Sequence, residues 1–146
     1  MQRVLEPGDL VADLGTGSAI LAIAAAKLGA SRVAAIEVDE GAIGNAEENV
    51  GRNDVADRVT VLQGDAAVLL PLVAPVRVIL ANIISSVLLR LSSVMRVALA
   101  PGGRAILSGI LVTEREEMLS ALAAQGWALE AEQWEGEWWS SVIAPR

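Results

Sequence analysis

Short apolar runs alternate with longer segments of helical spacing along the first two thirds of the chain. We predict five strands from the apolar runs, at Leu10–Leu14, Arg32–Val38, Arg58–Leu62, Arg77–Ala81 and Arg104–Ser108. The intervening segments predict helices at Ile20–Leu28, from Asp39 to about Arg52, and at Ile84–Leu99. Strands that alternate with helices form βαβ units, so this pattern predicts a parallel sheet covered on both faces.

The last part of the chain carries a different pattern. Thr113 and Glu116 have the spacing of a capping box and predict a helix that ends at Gln125. Two strands follow, at about Trp127–Trp134 and Trp138–Ala144, and their connection is too short for a crossover, so they are predicted to be antiparallel. The predicted fold is therefore α/β, an open three-layer sandwich of five parallel strands with a C-terminal antiparallel hairpin. We expect residues 1–146 to form a single domain, because 146 residues are about one domain's length.

Composition excludes several classes of site. The chain has no cysteine and no histidine, which rules out disulfides, thiolate nucleophiles, Ser-His-Asp triads and Cys or His metal sites, and we predict no metal. A net charge of −7 argues against unaided binding to nucleic acid or to an anionic membrane. The longest apolar run, Ala66–Val76, is too short to span a bilayer, and the N-terminus lacks an apolar signal core. We therefore expect a cytoplasmic protein.

Glycine and polar residues stand where the predicted strands end. The candidate binding residues are Asp13, Gly15, Gly17, Glu37, Asp65 and Asn82. Open parallel sheets bind ligands beyond the carboxyl ends of their strands, so these residues are expected to meet at one site. The two glycines let a ligand approach the backbone, and Glu37 follows Gly15 by 22 residues, the spacing of a carboxylate that binds ribose hydroxyls.

Each candidate also has a purely structural interpretation. The two glycines suit a plain strand-to-helix turn, Glu37 suits a solvated strand end, Asp65 suits a Gly-Asp turn, and Asn82 suits a helix cap. Ile20 departs from the dinucleotide fingerprint, which has glycine there, and this disfavours a nicotinamide-dependent dehydrogenase. The four tryptophans near the hairpin are expected to pack the sheet edge or a partner rather than to stack on bases.

The series of strand-end residues resembles class I S-adenosylmethionine-dependent methyltransferases. Four segments, VADLGTGSAILAIAAAKLGA, VILANI, PGGRAILSGIL and EGEW, resemble more closely the bacterial enzymes that methylate the eleventh large-subunit ribosomal protein. The resemblance runs from about Pro7 to Ala144 and implies a Rossmann-like fold. It implies that Gly15, Glu37 and Asn82 contact S-adenosylmethionine, that Asp65 contacts the adenine, and that Asn82 also serves catalysis. Two positions depart from the pattern: Ala19 replaces a glycine and Glu37 replaces the more usual aspartate.

The resemblance also implies the reaction and the partner. We expect N-methylation of a protein amine, either a lysine side chain or a terminal amino group, on a substrate of the ribosomal-protein type. Family members carry an N-terminal recognition domain and a cofactor-covering loop before the first strand, so residues 1–146 are expected to correspond to the catalytic domain alone. An apolar face near the first strand would then be exposed, and a symmetric homodimer is one way to cover it. The alternative hypothesis is a non-catalytic protein that binds the cofactor or a partner without transferring a methyl group.

Overall fold

The computed structural model describes all residues, 1–146, as a single seven-stranded sheet flanked by five α-helices. The strands are β1 (Leu10–Leu14), β2 (Arg32–Glu37), β3 (Val59–Gln63), β4 (Val76–Asn82), β5 (Leu99–Leu111), β6 (Trp127–Glu135) and β7 (Trp138–Pro145). The helices are α1 (Ile20–Lys27), α2 (Glu40–Arg52), α3 (Ala66–Val73), α4 (Ser85–Ala98) and α5 (Arg115–Ala124). None of the helices is long and apolar enough to cross a membrane.

The strands are arranged in the order β3-β2-β1-β4-β5-β7-β6. Strands β1 to β5 are parallel, whereas β7 is antiparallel to both β5 and β6. The predicted fold class is therefore confirmed. The chain moves outward from β1 to β3 and then returns to β4 on the other side of β1, so the strand order reverses between β1 and β4. This reversal leaves a crevice at the carboxyl ends of the two strands, where ligands bind in open α/β sheets.

The two faces of the sheet carry separate apolar cores. On one face, small residues of α1 such as Ala22, Ala25 and Ala26 are fully buried and let the helix lie close to the strands. On the other face, α3, α4 and α5 contribute larger side chains, including Leu88 and Met95. The sheet is apolar on both faces, so each face needs its own layer of helices to keep its side chains out of water.

Helix α3 is an element that the sequence pattern did not reveal. Its eight residues read only as an apolar run, and Pro71 lies inside the helix. Only Leu70 is fully buried, while Val68 and Leu72 remain largely exposed, so the segment has no clear polar face. A helix without amphipathic periodicity cannot be recognised from hydrophobic spacing.

Strand β5 is longer than predicted, since it begins at Leu99 and continues to Leu111. Leu99 pairs with Val76 of β4, and the register shifts before the regular pairing resumes, so the Pro-Gly-Gly segment lies inside the strand as an irregularity. Pairing with β4 thus overrides the local turn signal.

The predicted capping box between Thr113 and Glu116 is wrong. A 3₁₀ turn (Val112–Glu114) follows β5, and α5 begins after it. Glu114, rather than Glu116, reaches back to the backbone, where its Oε2 accepts a hydrogen bond of 3.0 Å from the N–H of Leu111. Glu116 instead pairs with the neighbouring Arg115.

Candidate active site

A cavity of about 410 Å³ opens at the carboxyl ends of β1, β2, β3 and β4. Its apolar lining residues are Ile36, Val38, Ala66, Ile83, Ile84, Val87 and Leu91. Gly15, Glu37, Asp65 and Arg90 supply the backbone and polar parts of the lining. An apolar cleft of this size with a few convergent polar groups suits a small-molecule ligand.

The loop between β1 and α1 begins with Gly15, which forms part of the cavity floor. Gly15 has φ = 66°, and a Cβ placed there would lie 2.5 Å from Cγ2 of Ile83. The backbone conformation therefore favours glycine, and the close approach of Ile83 leaves no room for a Cβ. Gly17 also has positive φ, but no atom lies within 4 Å of its Cβ position, so this side of the loop is open.

Ala19 ends the same loop in a conformation that normally favours glycine. It has φ = 66° and is the N-cap residue of α1, yet it supplies no side-chain hydrogen bond to the helix. A non-glycine residue in this region costs about 1–2 kcal/mol. The alanine that replaces glycine at this position therefore keeps the conformation of the loop but destabilises it.

Glu37 connects the end of β2 with the glycine loop. Its Oε2 accepts a hydrogen bond from the N–H of Gly17 at 2.8 Å, and its Oε1 accepts one from the N–H of Asp39 at 2.9 Å. The residue is only 8% exposed. A carboxylate has about four lone-pair sites, so Glu37 can brace the loop and still accept hydrogen bonds from ligand hydroxyl groups.

Asp13 lies behind the glycine loop and does not line the cavity. Its Oδ2 accepts a hydrogen bond of 2.6 Å from the hydroxyl of Thr16. Burial raises the pKa of Asp13 from 3.8 to about 6; hydrogen bonds from Thr16 and from the backbone of Ala22 counteract this in part, and the charge of Glu37 adds to it. The predicted contact of Asp13 with a cofactor stays a prediction.

Asp65 lines the cavity from the end of β3. Its Oδ1 accepts a hydrogen bond of 2.9 Å from the N–H of Ala67 and so caps α3. Its Oδ2 lies 3.4 Å from Nη1 of Arg90. The backbone N–H of Ala67 and, after it, the Arg90 guanidinium hold the pKa of Asp65 below its usual range. Asp65 therefore caps a helix that the sequence did not predict, rather than forming the expected Gly-Asp turn. Its binding role stays a prediction, and its position in the cavity is compatible with it.

Sequence reasoning missed Arg90, which lies on α4. Val87, Arg90 and Leu91 all line the cavity, and their i, i+3, i+4 spacing places them on one face of the helix. The helical spacing of these three residues, in the helix that follows Asn82, was the signal that could have identified Arg90.

Asn82 is the last residue of β4 and is exposed, and it does not line the cavity, although its neighbour Ile83 does. Its predicted contact with a cofactor stays a prediction. The N-cap of α4 is Ile84, and no side chain caps this helix, so the interpretation of Asn82 as a helix cap is wrong. A Cβ at Gly109 of β5 would lie 2.8 Å from Oδ1 of Asn82. The Asn82 amide therefore lies directly against a glycine that sequence reasoning did not single out.

The topology and the cavity together define the fold of class I S-adenosylmethionine-dependent methyltransferases. Two solved structures illustrate the likeness in fold. A precorrin 8W decarboxylase from Methanobacterium thermoautotrophicum has a TM-score of 0.81 at 22% identity, covering 99% of this chain and 87% of that one. An RNA methyltransferase from Salinibacter ruber, in complex with S-adenosyl-L-homocysteine, has a TM-score of 0.75 at 23% identity, covering 94% of this chain and 81% of that one.

The chain belongs to the family described as ribosomal protein L11 methyltransferase (PrmA), whose model matches residues 1–145. The ribosomal protein L11 methyltransferase of Exiguobacterium sibiricum is 41% identical over 146 residues, which are 100% of this chain and 45% of that protein. The ribosomal protein L11 methylase of Lactobacillus delbrueckii subsp. bulgaricus has a TM-score of 0.90 at 30% identity, covering 99% of this chain and 74% of that one. The resemblance inferred from the sequence is thereby confirmed, and with it S-adenosylmethionine as the methyl donor of the family. The chain spans about half the length of the curated relatives it matches.

Proposed function

We propose that residues 1–146 form a single catalytic domain that binds S-adenosylmethionine and methylates an amine of a protein substrate of the ribosomal L11 type. The observation that carries this proposal is the cavity at the reversal of strand order, where Gly15, Glu37 and Asp65 arrive from three different strand ends. Asn82 lies at the end of a fourth strand, directly before the cavity residue Ile83.

The residues present fit the proposed cofactor. Glu37 would accept hydrogen bonds from the ribose hydroxyls, and Asp65 would accept one from the adenine amino group. The apolar lining, which includes Val38 and Ile84, suits the faces of a purine ring. Gly15 and Gly17 leave the loop without side chains, which permits close approach of the ligand to the backbone.

S-adenosylmethionine would supply a methyl group on a cationic sulfonium, for which an activating metal is unnecessary. Glu37 and Asp65 favour such a cation because they place carboxylates in the cavity. Asp13 would act only indirectly, through its hydrogen bond with Thr16 of the loop.

The acceptor amine must lose a proton before it can accept a methyl group. For an unperturbed lysine with a pKa near 10.4, this costs about 4.6 kcal/mol at pH 7, at 1.36 kcal/mol per pKa unit. The chain has no histidine to serve as a base, so release of the proton to water is the simplest route. Oδ1 of Asn82 can accept a hydrogen bond from the amine and orient it, and alignment of the two reactants would supply most of the rate.

The partner that fits the charge is a basic protein segment. A chain with a net charge of −7 attracts cationic acceptors and repels nucleic acid, so we propose no direct nucleic-acid contact and no membrane contact. A cytoplasmic location and a homodimer remain proposals, and sedimentation at micromolar concentration tests the second; a monomer would contradict it.

Calorimetric titration with S-adenosylmethionine tests the binding site directly. We expect micromolar binding to the wild-type chain and its loss in Glu37→Ala. Glu40→Ala is the matched control, because Glu40 is an exposed carboxylate three residues away on α2. Unchanged affinity in Glu37→Ala would overturn the assignment of the ribose contact.

Methyl transfer to ribosomal protein L11 and to free amines tests the reaction. Asn82→Ala is expected to lower turnover more than it lowers the free energy of unfolding, and wild-type turnover would remove Asn82 from the mechanism. Saturable cofactor binding without transfer to any amine would favour the non-catalytic alternative.

A further inference from the structure

The short connection between β4 and α4 directly follows Asn82. It is held in place by Glu114, a residue outside the cavity. Glu114 lies in the 3₁₀ turn after β5, and its Oε1 accepts a hydrogen bond of 2.6 Å from the hydroxyl of Ser85. Its Oε2 accepts the hydrogen bond of 3.0 Å from the N–H of Leu111. One carboxylate therefore joins the first residue of α4 to the end of β5.

The opposite side of this connection is held by Gly109. A Cβ there would lie 2.8 Å from Oδ1 of Asn82 and 3.1 Å from both the backbone N and O of Ile83. Residues 82 and 83 thus lie against the backbone of β5 at Gly109, and Ser85 is held by the Glu114 carboxylate. The side chain of Ile83 meanwhile packs against Gly15 in the cavity.

The Glu114 carboxylate also lies at an otherwise uncapped helix end. Ile84 cannot cap α4 with its side chain, and the first turn of α4 contains no acidic residue. A negative charge beside Ser85 interacts favourably with the positive end of the helix dipole. The hydrogen bonds from Ser85 and, after it, Leu111 hold the pKa of Glu114 below its usual range, so the group remains charged at neutral pH.

We propose that Glu114 is a positioning residue for Asn82, acting through the hydroxyl of Ser85. This inference rests on the proposed function, because it assigns to Glu114 the task of holding the amide that orients the acceptor amine. Glu114 does not line the cavity, so its effect is on the alignment of the acceptor rather than on the binding of the cofactor.

The test compares Glu114→Ala and Ser85→Ala with Glu117→Ala. Glu117 is an exposed carboxylate on α5 and serves as the matched control. We expect kcat to fall about tenfold in Glu114→Ala while the calorimetric affinity for S-adenosylmethionine stays within about twofold, since small misplacement near reacting groups costs rate more than binding. Glu114→Gln keeps one acceptor oxygen and should recover part of the rate.

Two further results separate positioning from a general structural role. The double variant Ser85→Ala with Glu114→Ala should lose no more rate than Glu114→Ala alone, because both residues form one contact. Equal losses of cofactor affinity and kcat, or an unchanged kcat in an active enzyme, would overturn the proposal.

Amide hydrogen exchange provides a measurement that does not depend on activity. Exchange at Val87 and Leu88, whose N–H groups donate to the carbonyl of Ile84, should accelerate in Glu114→Ala and not in Glu117→Ala. If the wild-type chain transfers no methyl group, the proposed reaction fails, yet accelerated exchange would still support the hold on residues 82–85. Unchanged exchange would overturn the proposal about Glu114 by itself.

Discussion

Replacing Asp13 by asparagine is expected to remove a pH dependence of folding stability that arises from one buried carboxyl group. Asp13 is 1% exposed, and burial raises its pKa from 3.8 to about 6 in the folded chain. The folded state therefore binds this proton more tightly than the unfolded state. The contribution of Asp13 is fully present below pH 3.8 and is lost as the pH rises through about 6.

The magnitude follows from the size of the shift. A rise from 3.8 to about 6 corresponds to about 3 kcal/mol at 1.36 kcal/mol per pKa unit. The free energy of unfolding of the wild-type chain should thus lose about 3 kcal/mol, relative to the Asp13→Asn variant, between pH 3.5 and pH 7. The uncharged amide can still accept the hydrogen bond from Thr16, so the variant retains the contact with the loop.

Urea denaturation of both proteins across this pH range measures the difference. Carboxyl groups that do not interact with Asp13 titrate alike in both proteins and cancel in the comparison; Glu37, whose charge acts on Asp13, is the exception. Asp57→Asn is the control, because Asp57 is exposed in the loop before β3, and its difference from wild type should not vary with pH in this way. Parallel pH profiles for wild type and Asp13→Asn would refute the argument from burial.

The remaining predictions concern the loop and the strand end. Glu37→Asp keeps a carboxylate but shortens its reach to the N–H of Gly17. The affinity for S-adenosylmethionine should therefore fall about tenfold, the equivalent of one charge-assisted hydrogen bond. Wild-type affinity by calorimetry would show that the hydrogen bond from Gly17 to Glu37 does not matter for binding. Gly109→Ala should lower kcat much more than Gly102→Ala. Both glycines have positive φ, but only at Gly109 would a Cβ meet Oδ1 of Asn82. Equal effects of the two substitutions in a steady-state assay would mean that backbone strain, not the contact, is responsible.

Local sequence determined the elements and the edge of the sheet at which the site lies. Apart from α3 and the start of β5, the strands and helices were predictable because their apolar spacing and end signals depend on near neighbours in the chain. The rule that parallel strands place their carboxyl ends at one edge then brought Gly15, Glu37 and Asp65 together without coordinates. The start of α2 was also predictable: its N-cap, Asp39, lies where the predicted helix begins, and its Oδ1 accepts a local hydrogen bond from the N–H of Gly41.

Tertiary structure decided what these residues touch, because those contacts join segments far apart in the chain. Asp13 was expected in the site, and its strand position does point there, but packing of α1 buries it behind the loop. Pairing of Leu99 with Val76 extends β5 through a segment whose local signal is a turn. Arg90, Gly109 and Glu114 acquire their partners only when β3, β4, β5 and α4 converge. No residue spacing encodes such contacts, because their energies depend on side chains that meet only after the sheet and its two helical layers have assembled.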